Sequence, residues 1–221
     1  PAGLIGMDIE RLLDHAQRMA DQCAPDVAAG RNPGLVLGAI VGDAALQGRD
    51  KLTLLTDPQV CPFGSWLEQL VAESSGKEGR GIVPVDMEPF SRQYSNDRLF
   101  VYFQSDGSRR SLADALIEKG HPVLSLPIED AYALGSAFFQ WEVATAIACA
   151  ILGVNGFNQP DVQDNKNRTK DKIASFRREG RLEDGQVIWE GHGGSVFGQA
   201  FPGLAEAVTV KDVIAGFVRQ A

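Results

Sequence analysis

Apolar residues recur along the chain in two alternating patterns, one with helical spacing and one in short runs of strand length. Between residues 8 and 23 they lie three or four positions apart, which predicts an amphipathic helix capped by Asp8. Asn32 and Pro33 are typical of the cap and the first position of a second helix. Strands are predicted at 51–56, 82–85, 99–103 and 122–126, and helices at 8–23, 33–46, 62–73, 111–119, 131–152, 160–176 and 211–220, the last capped by Thr209.

The alternation of strands and helices predicts an α/β fold with a doubly wound parallel sheet, flanked by helices on both faces. Ligands of such sheets bind at the carboxyl ends of the strands. The helix at 131–152 is apolar on two faces, so we expect it to lie buried between layers. Gly34, Gly38 and Gly42 share one stripe of the second helix, which predicts close contact with a neighbouring element.

Length and composition indicate one sizeable domain, or a domain with an appendage, since 221 residues with 44% hydrophobic content can bury a core. The net charge of −8 argues against non-specific binding to nucleic acid or to an anionic membrane, but allows a small anionic substrate. Three widely spaced cysteines form neither a CxxC pair nor a zinc pattern, which favours a reduced, cytoplasmic setting. No signal peptide and no run of about 18 apolar residues is recognised, so no membrane contact is expected.

The first candidate for chemistry is the loop at 72–81, where an apolar helix ends at Glu73. A carboxylate there faces the negative end of the helix dipole, and with partial burial we expect an increased proton affinity. Glu73 is therefore a candidate general base, and the alternative is a solvated helix-end residue beside a glycine cap. The Gly76-Lys77 pair lacks the other residues of a phosphate-binding Walker loop.

The second candidate is the loop at 153–166, where the apolar helix ends and a polar helix begins near Pro160. Lys166 lies about two turns into that helix, and its long stem could carry the ammonium back toward Gln159. The alternative is a solvated lysine on a polar helix that also carries Lys170 and Lys172.

Both loops resemble motifs of the phosphoglucose isomerase family. The segment E-S-S-G-K-E-G-R-G-I, from Glu73 to Ile82, resembles the loop that follows the catalytic helix of these enzymes. The segment from Gly153 to Lys166, with Phe157 and Gln159, resembles the family's C-terminal signature of a Phe-Asp-Gln turn followed by a lysine. The resemblance covers about residues 1–170, and the sequence of residues 66–74 is most similar to the isomerase half of bifunctional transaldolase/phosphoglucose isomerases.

The resemblance implies a sugar-isomerase (SIS) domain at 1–175, similar to the second of the family's two SIS subdomains, with 176–221 as an extension packed on it. It implies that Glu73 moves a proton between C1 and C2 of a sugar phosphate through a cis-enediol, and that Lys166 assists ring opening. Gln159, Gly76 and Lys77 would bind substrate, and neither a metal nor an organic cofactor is implied. The expected partners are glucose 6-phosphate or fructose 6-phosphate and the first SIS subdomain, and a homo-oligomer is compatible.

Several features depart from the family pattern. Asp161 stands where the family has a small residue, Gln163 replaces a glutamate, and Cys149 replaces a small residue. No loop carries a recognisable ring-opening histidine: His121 opens a strand and fits a structural role, and neither His15 nor His192 is a candidate. The family's phosphate-gripping loop has no counterpart, so we expect a fragment with little turnover by itself. A non-catalytic sugar-phosphate-binding module and an assembly domain are the alternatives.

Overall fold

The computed structural model describes residues 2–91, 93–181, 185–191 and 194–219. Contacts divide the chain into two compact units, 1–161 and 162–221, which are described separately. The first unit contains helices α1 Ile9–Gln22, α2 Pro33–Leu46, α3 Cys61–Ser75, α4 Arg110–Glu118 and α5 Leu134–Leu152. Its strands are β1 Lys51–Thr56, β2 Val83–Val85, β3 Arg98–Gln104 and β4 Val123–Pro127. The remaining α-helices and strands of the described residues are α6 Pro160–Glu179, α7 Val210–Val218, β5 Val187–Gly191 and β6 Gly194–Phe197.

The predicted caps begin their helices as expected. The Asp8 carboxylate accepts a hydrogen bond from the Arg11 N–H at 3.1 Å, and the Asn32 Oδ1 atom accepts one from Leu35 at 2.9 Å. The Thr209 side chain caps α7 in a reciprocal capping box. Each side chain satisfies an N–H group that has no partner inside its helix, so the three helix starts are fixed locally.

The four strands of the first unit form a parallel sheet in the order β2-β1-β3-β4. One face packs against α2, α3 and α5 in the main core, and the opposite face packs against α4 through Leu55, Tyr102 and Ala113. Side chains alternate between the faces of a strand, so one apolar run supplies both cores. This architecture confirms the predicted α/β class with a parallel sheet flanked by helices.

The glycine stripe of α2 lies directly against α5, as predicted. A Cβ atom on Gly34 would lie 2.7 Å from the Val143 side chain, and one on Gly38 would lie 2.5 Å from the Ala144 carbonyl oxygen. By length and composition α5 meets the criterion for a membrane span, contrary to the sequence expectation. Its packing against α1, α2 and α3 instead explains its apolar character: eight of its nineteen residues are buried, whereas Glu142 is exposed.

The second unit contains α6 from Val162 onward, an antiparallel hairpin of β5 and β6, and α7. The Trp189 indole donates a hydrogen bond to the Ala207 carbonyl at 2.8 Å, and Leu204 and Val213 are buried. The sequence predicts no hairpin in this glycine-rich segment, where a bulge interrupts the register between Val187 and Trp189. The packing of residues 176–221 on the domain stays a prediction.

Candidate functional site

Helix α3 positions Glu73 on its last turn, and buried hydrogen bonds fix the turn that follows. The Ser75 hydroxyl is fully buried, donates to the Val71 carbonyl at 2.7 Å and accepts from the Ile82 N–H at 3.0 Å. Gly81 has φ +156°, and a Cβ atom there would lie 2.9 Å from the Gly76 Cα. The glycine is therefore required for the chain to return so closely past the end of α3.

The tip of this loop, residues 77–80, is a tight reciprocal turn. The Lys77 N–H donates to the Arg80 carbonyl at 3.0 Å, and the Arg80 N–H donates back at 2.9 Å. Glu78 and Gly79 occupy the turn with φ angles of 56° and 72°. Positive φ angles at both central positions are typical of a type I′ turn, which leaves little freedom to the residues on either side.

The second loop leaves α5 through a left-handed glycine cap. Gly153 has φ 73°, and the Val154 N–H donates to the Cys149 carbonyl at 3.0 Å. Gly156 lies close over Cys149, since a Cβ atom there would lie 3.1 Å from the sulfur. The Asn155 side chain then accepts from the Phe157 N–H at 2.9 Å, which directs the chain toward Gln159.

The two loops, separated in sequence by more than 70 residues, meet at Glu73. The Gln159 side-chain amide donates to one carboxylate oxygen of Glu73 at 3.4 Å. The Gln69 amide, one helical turn earlier, donates to the other oxygen at 3.1 Å. The Glu73 side chain is exposed rather than partly buried, and the ion pairs between described residues do not include it. The carboxylate is thus held between two neutral amides and open to solvent.

An open depression of about 320 Å³ surrounds this carboxylate. It adjoins a second depression of about 370 Å³ that Leu70, Ser74 and Gly156 also line. The two together offer carboxylates, amides, hydroxyls and aromatic rings but no basic side chain: Trp66, Gln69, Leu70, Glu73, Ser74, Glu142, Thr145, Ala146, Gly156, Phe157 and Gln159. Amides and carboxylates suit the hydroxyl groups of a neutral polyol better than they suit a phosphate.

The site does not lie where the general rule for parallel sheets places it. Helix α3 runs from the carboxyl end of β1 back to the start of the parallel strand β2, so Glu73 lies toward the amino ends of the strands. At the carboxyl ends, buried Asp57 accepts the N–H groups that precede α4, and Asp130 accepts those of Tyr132 and Ala133 before α5. A larger cavity of about 470 Å³, against β1 on the α4 face, contains no residue of the two motifs.

The structure brings two of the predicted site residues into contact and gives others different surroundings. Glu73 and Gln159 are in contact, and Gly76 caps α3, with its N–H donating to Ala72 at 2.9 Å. Lys77 is buried, and its ammonium donates to the Asn155 carbonyl at 2.8 Å. Lys166 is exposed on α6 in the second unit, so its position relative to Glu73 stays a prediction.

The histidines add no candidate base among the described residues. His121 lies edge-on to the rings of Tyr94 and Phe100, which agrees with the structural role expected for it. The His15 carbonyl accepts from the Ser136 hydroxyl at 2.8 Å, and His192 lies outside the described residues. Gln69 was absent from the predicted site, although its spacing of four residues before Glu73 on one helix face is a signal that could have found it.

No family model matches the chain, but individual proteins do. It is 26% identical to the glucose-6-phosphate isomerase of Heliobacterium modesticaldum over 75% of this chain and 46% of that protein. It is 27% identical to a probable glucose-6-phosphate isomerase of Haloarcula marismortui, over 77% of this chain and 48% of that protein. It is also 27% identical to the glucose-6-phosphate isomerase of Prochlorococcus marinus, over 85% of this chain and 43% of that protein. The chain is similar to glucose-6-phosphate isomerases. It spans about half the length of these curated relatives.

Two solved structures share the fold. A hypothetical protein from Thermus thermophilus superimposes with a TM-score of 0.64 at 19% identity, covering 76% of this chain and 51% of that one. A glucose-6-phosphate isomerase from Chlamydia trachomatis gives 0.57 at 14% identity, covering 96% of this chain and 46% of that one. At these identities the superpositions support the architecture alone.

Proposed function

We propose that this chain supplies the proton-transferring part of an aldose–ketose isomerase acting on glucose 6-phosphate and fructose 6-phosphate. The observation that carries the proposal is the contact between Glu73 and Gln159, which joins the two family-like motifs around one open depression. Similarity to named glucose-6-phosphate isomerases supports the same reaction class. The chain has the character of the family's second SIS subdomain, and a first subdomain, with or without a fused transaldolase, would complete the enzyme.

Glu73 is the proposed base of a proton shuttle. Its carboxylate takes a proton from C1 of open-chain fructose 6-phosphate, and the C–H electron pair forms the double bond of a cis-enediol while O2 gains a proton. The same carboxyl group returns its proton to C2, and O1 loses a proton as the aldehyde forms. The reaction therefore needs no redox cofactor. A positioned carboxylate of this kind typically increases the rate by a factor of about 10²–10⁴.

The neighbouring residues orient this chemistry. Amide donors from Gln69 and Gln159 hold both oxygens of Glu73, which limits the rotation of the carboxylate about its stem. Gln159 also borders the depression, where its second amide hydrogen and its carbonyl oxygen can bind sugar hydroxyls. Lys166 is proposed to assist ring opening by stabilising charge at the ring oxygen.

The test is a matched pair of amide substitutions on α3, made in the longest natural polypeptide that contains this sequence. Glu73→Gln removes the base and keeps the side-chain shape, whereas Glu68→Gln changes an exposed carboxylate on the same helix. We expect Glu73→Gln to lower the rate of fructose 6-phosphate isomerisation at least 100-fold and Glu68→Gln to change it less than twofold. A near-normal rate in Glu73→Gln would remove this residue from the base role.

The departures at Asp161 and Gln163 favour one other function, a non-catalytic sugar-phosphate-binding module. A thermal shift on adding fructose 6-phosphate, without isomerisation by the natural polypeptide, would support that function and overturn ours. Robust isomerisation by the 221-residue chain alone would instead contradict the expectation that a phosphate-binding partner domain is needed.

A further inference from the structure

The two motif loops are joined at successive points in opposite directions along the chain. As the residue number rises in the first loop, it falls in the second, so the loops lie antiparallel. The side-chain hydrogen bonds that join them are Glu73–Gln159 at 3.4 Å, Lys77–Asn155 at 2.8 Å and Arg80–Leu152 at 2.7 Å. Between the first two, a Cβ atom on Gly156 would lie 4.0 Å from that of Ser74.

The middle joint is a buried cation. Lys77 is only 5% exposed, and its ammonium donates to the Asn155 carbonyl. An ammonium taken out of water is costly unless an acceptor replaces the lost hydration, so this contact holds the side chain in place. Lys77 does not line the depression around Glu73, and its backbone is fixed by the two hydrogen bonds to Arg80.

The third joint lies at the end of α5. The Arg80 guanidinium donates to the carbonyl of Leu152, the last residue of α5. This carbonyl receives no hydrogen bond from an N–H group of the helix. Cations at a helix C-terminus also interact favourably with the dipole. Arg80 thus places a positive charge against the end of α5, and Lys77 binds the loop three residues beyond it.

We propose that Lys77 is a positioning residue for Glu73 and Gln159, rather than a ligand of the substrate. Lys77 lies four residues after Glu73, across a turn that Ser75 holds rigid, and Asn155 lies four residues before Gln159. The Lys77–Asn155 bond therefore sets the separation of the loops next to the long Glu73–Gln159 contact. The catalytic part of this inference rests on the proposed function, whereas the joint itself does not.

Amide hydrogen exchange of the purified chain tests the joint without any substrate. Lys77→Met keeps an unbranched apolar stem in the buried space, and circular dichroism checks that the variant is folded. We expect exchange at residues 153–159 to be at least tenfold faster in Lys77→Met and within threefold of wild type in Lys77→Arg. The control Lys211→Met alters an exposed lysine and should change nothing in this segment.

Unchanged exchange at 153–159 in a folded Lys77→Met would overturn the proposal. Should that variant fail to fold, Arg80→Met replaces an exposed residue at the adjoining joint and is expected to accelerate the same segment at least threefold. No acceleration there would equally overturn it.

Kinetics distinguish positioning from substrate binding. In the longest natural polypeptide we expect Lys77→Met to lower kcat about 10- to 100-fold, because small misplacements of reacting groups are costly, with KM changed less than twofold. Lys77→Arg should recover most of kcat. A raised KM with unchanged kcat would contradict the positioning role, and absence of isomerisation in every variant would count against the proposed function while the exchange result still decides the joint.

Discussion

Asp57 follows β1 directly, and its carboxylate is fully buried. It accepts four of the five backbone N–H groups of residues 105–109, so it fixes the loop between β3 and α4. Neutralising Asp57 should therefore destabilise the first unit without adding or removing a heavy atom. The donors are the Tyr102 hydroxyl at 3.2 Å, the N–H groups of Ser105 at 2.9 Å, Asp106 at 3.1 Å, Gly107 at 2.8 Å and Arg109 at 3.0 Å, and the Ser108 hydroxyl at 3.3 Å.

The charge of this carboxylate is favoured in the folded state. Burial alone would raise the pKa of Asp57, but hydrogen bonds from the backbone and from Tyr102 outweigh it and lower the pKa below its ordinary value. A lowered folded pKa contributes stability that is present above the unfolded pKa of about 4 and is lost as pH falls through the folded value. The difference between wild type and Asp57→Asn should accordingly shrink below about pH 4.

The loss of stability expected for Asp57→Asn follows from the hydrogen bonds that its donors would lose. In its best orientation the Asn amide oxygen keeps the three N–H donors of one carboxylate oxygen, while its NH₂ group faces the Arg109 N–H. Leaving a buried donor unsatisfied costs about 1–3 kcal/mol, and each remaining hydrogen bond weakens when its acceptor loses charge. Relief of the buried charge offsets part of this. We expect a net loss of about 3 kcal/mol, or a Tm lower by about 6–12 °C for a chain of this size.

Urea unfolding at pH 7, followed by tryptophan fluorescence, measures this loss as a lower midpoint with an unchanged slope. The control Asp114→Asn removes an exposed ion pair with Arg110 on α4 and should cost less than about 0.5 kcal/mol. A stability within about 1 kcal/mol of wild type for Asp57→Asn would mean that the N–H groups have other acceptors and that Asp57 does not fix this loop.

Two other predictions concern the core. Gly38→Ala would bring its Cβ to 2.5 Å from the Ala144 carbonyl oxygen and should cost about 1–3 kcal/mol in urea unfolding, whereas Gly30→Ala, with open space around it, should be close to neutral; equal effects would contradict the α2–α5 packing. Burial and the Asp57 charge raise the pKa of Tyr102 to about 12. The stability that Tyr102 contributes should therefore be complete below pH 10 and should be lost between pH 10 and 12. Tyr102→Phe should remove that part of the alkaline loss, and an unchanged profile would show that another group causes it.

The sequence predicts those parts of the fold that short-range chemistry determines. Asp8, Asn32 and Thr209 act on N–H groups within a few residues, so their caps are readable from spacing alone. The glycine stripe of α2 likewise indicates close contact, because a helix face without side chains lets a neighbouring element approach the backbone.

The candidate site is only partly predictable, because its decisive contacts join distant segments. Motif resemblance singled out Glu73 and Gln159, but their meeting depends on where α5 ends relative to α3. The sequence does not say that the Lys77 ammonium points inward, since its acceptor is a main-chain carbonyl 78 residues away. Asp57 shows the same limit. The sequence suggests a solvated aspartate after a strand, and only the fold shows that N–H groups surround it and that it is buried.

The proton that Glu73 is proposed to transfer can be followed directly with deuterium. Fructose 6-phosphate is incubated in D₂O with the longest natural polypeptide that contains this sequence, and deuterium at C2 of the glucose 6-phosphate formed is measured by NMR. We predict deuterium at C2 with wild type and with Glu68→Gln, and at least 100-fold slower labelling with Glu73→Gln. Labelling by Glu73→Gln at the wild-type rate would show that another group moves the proton.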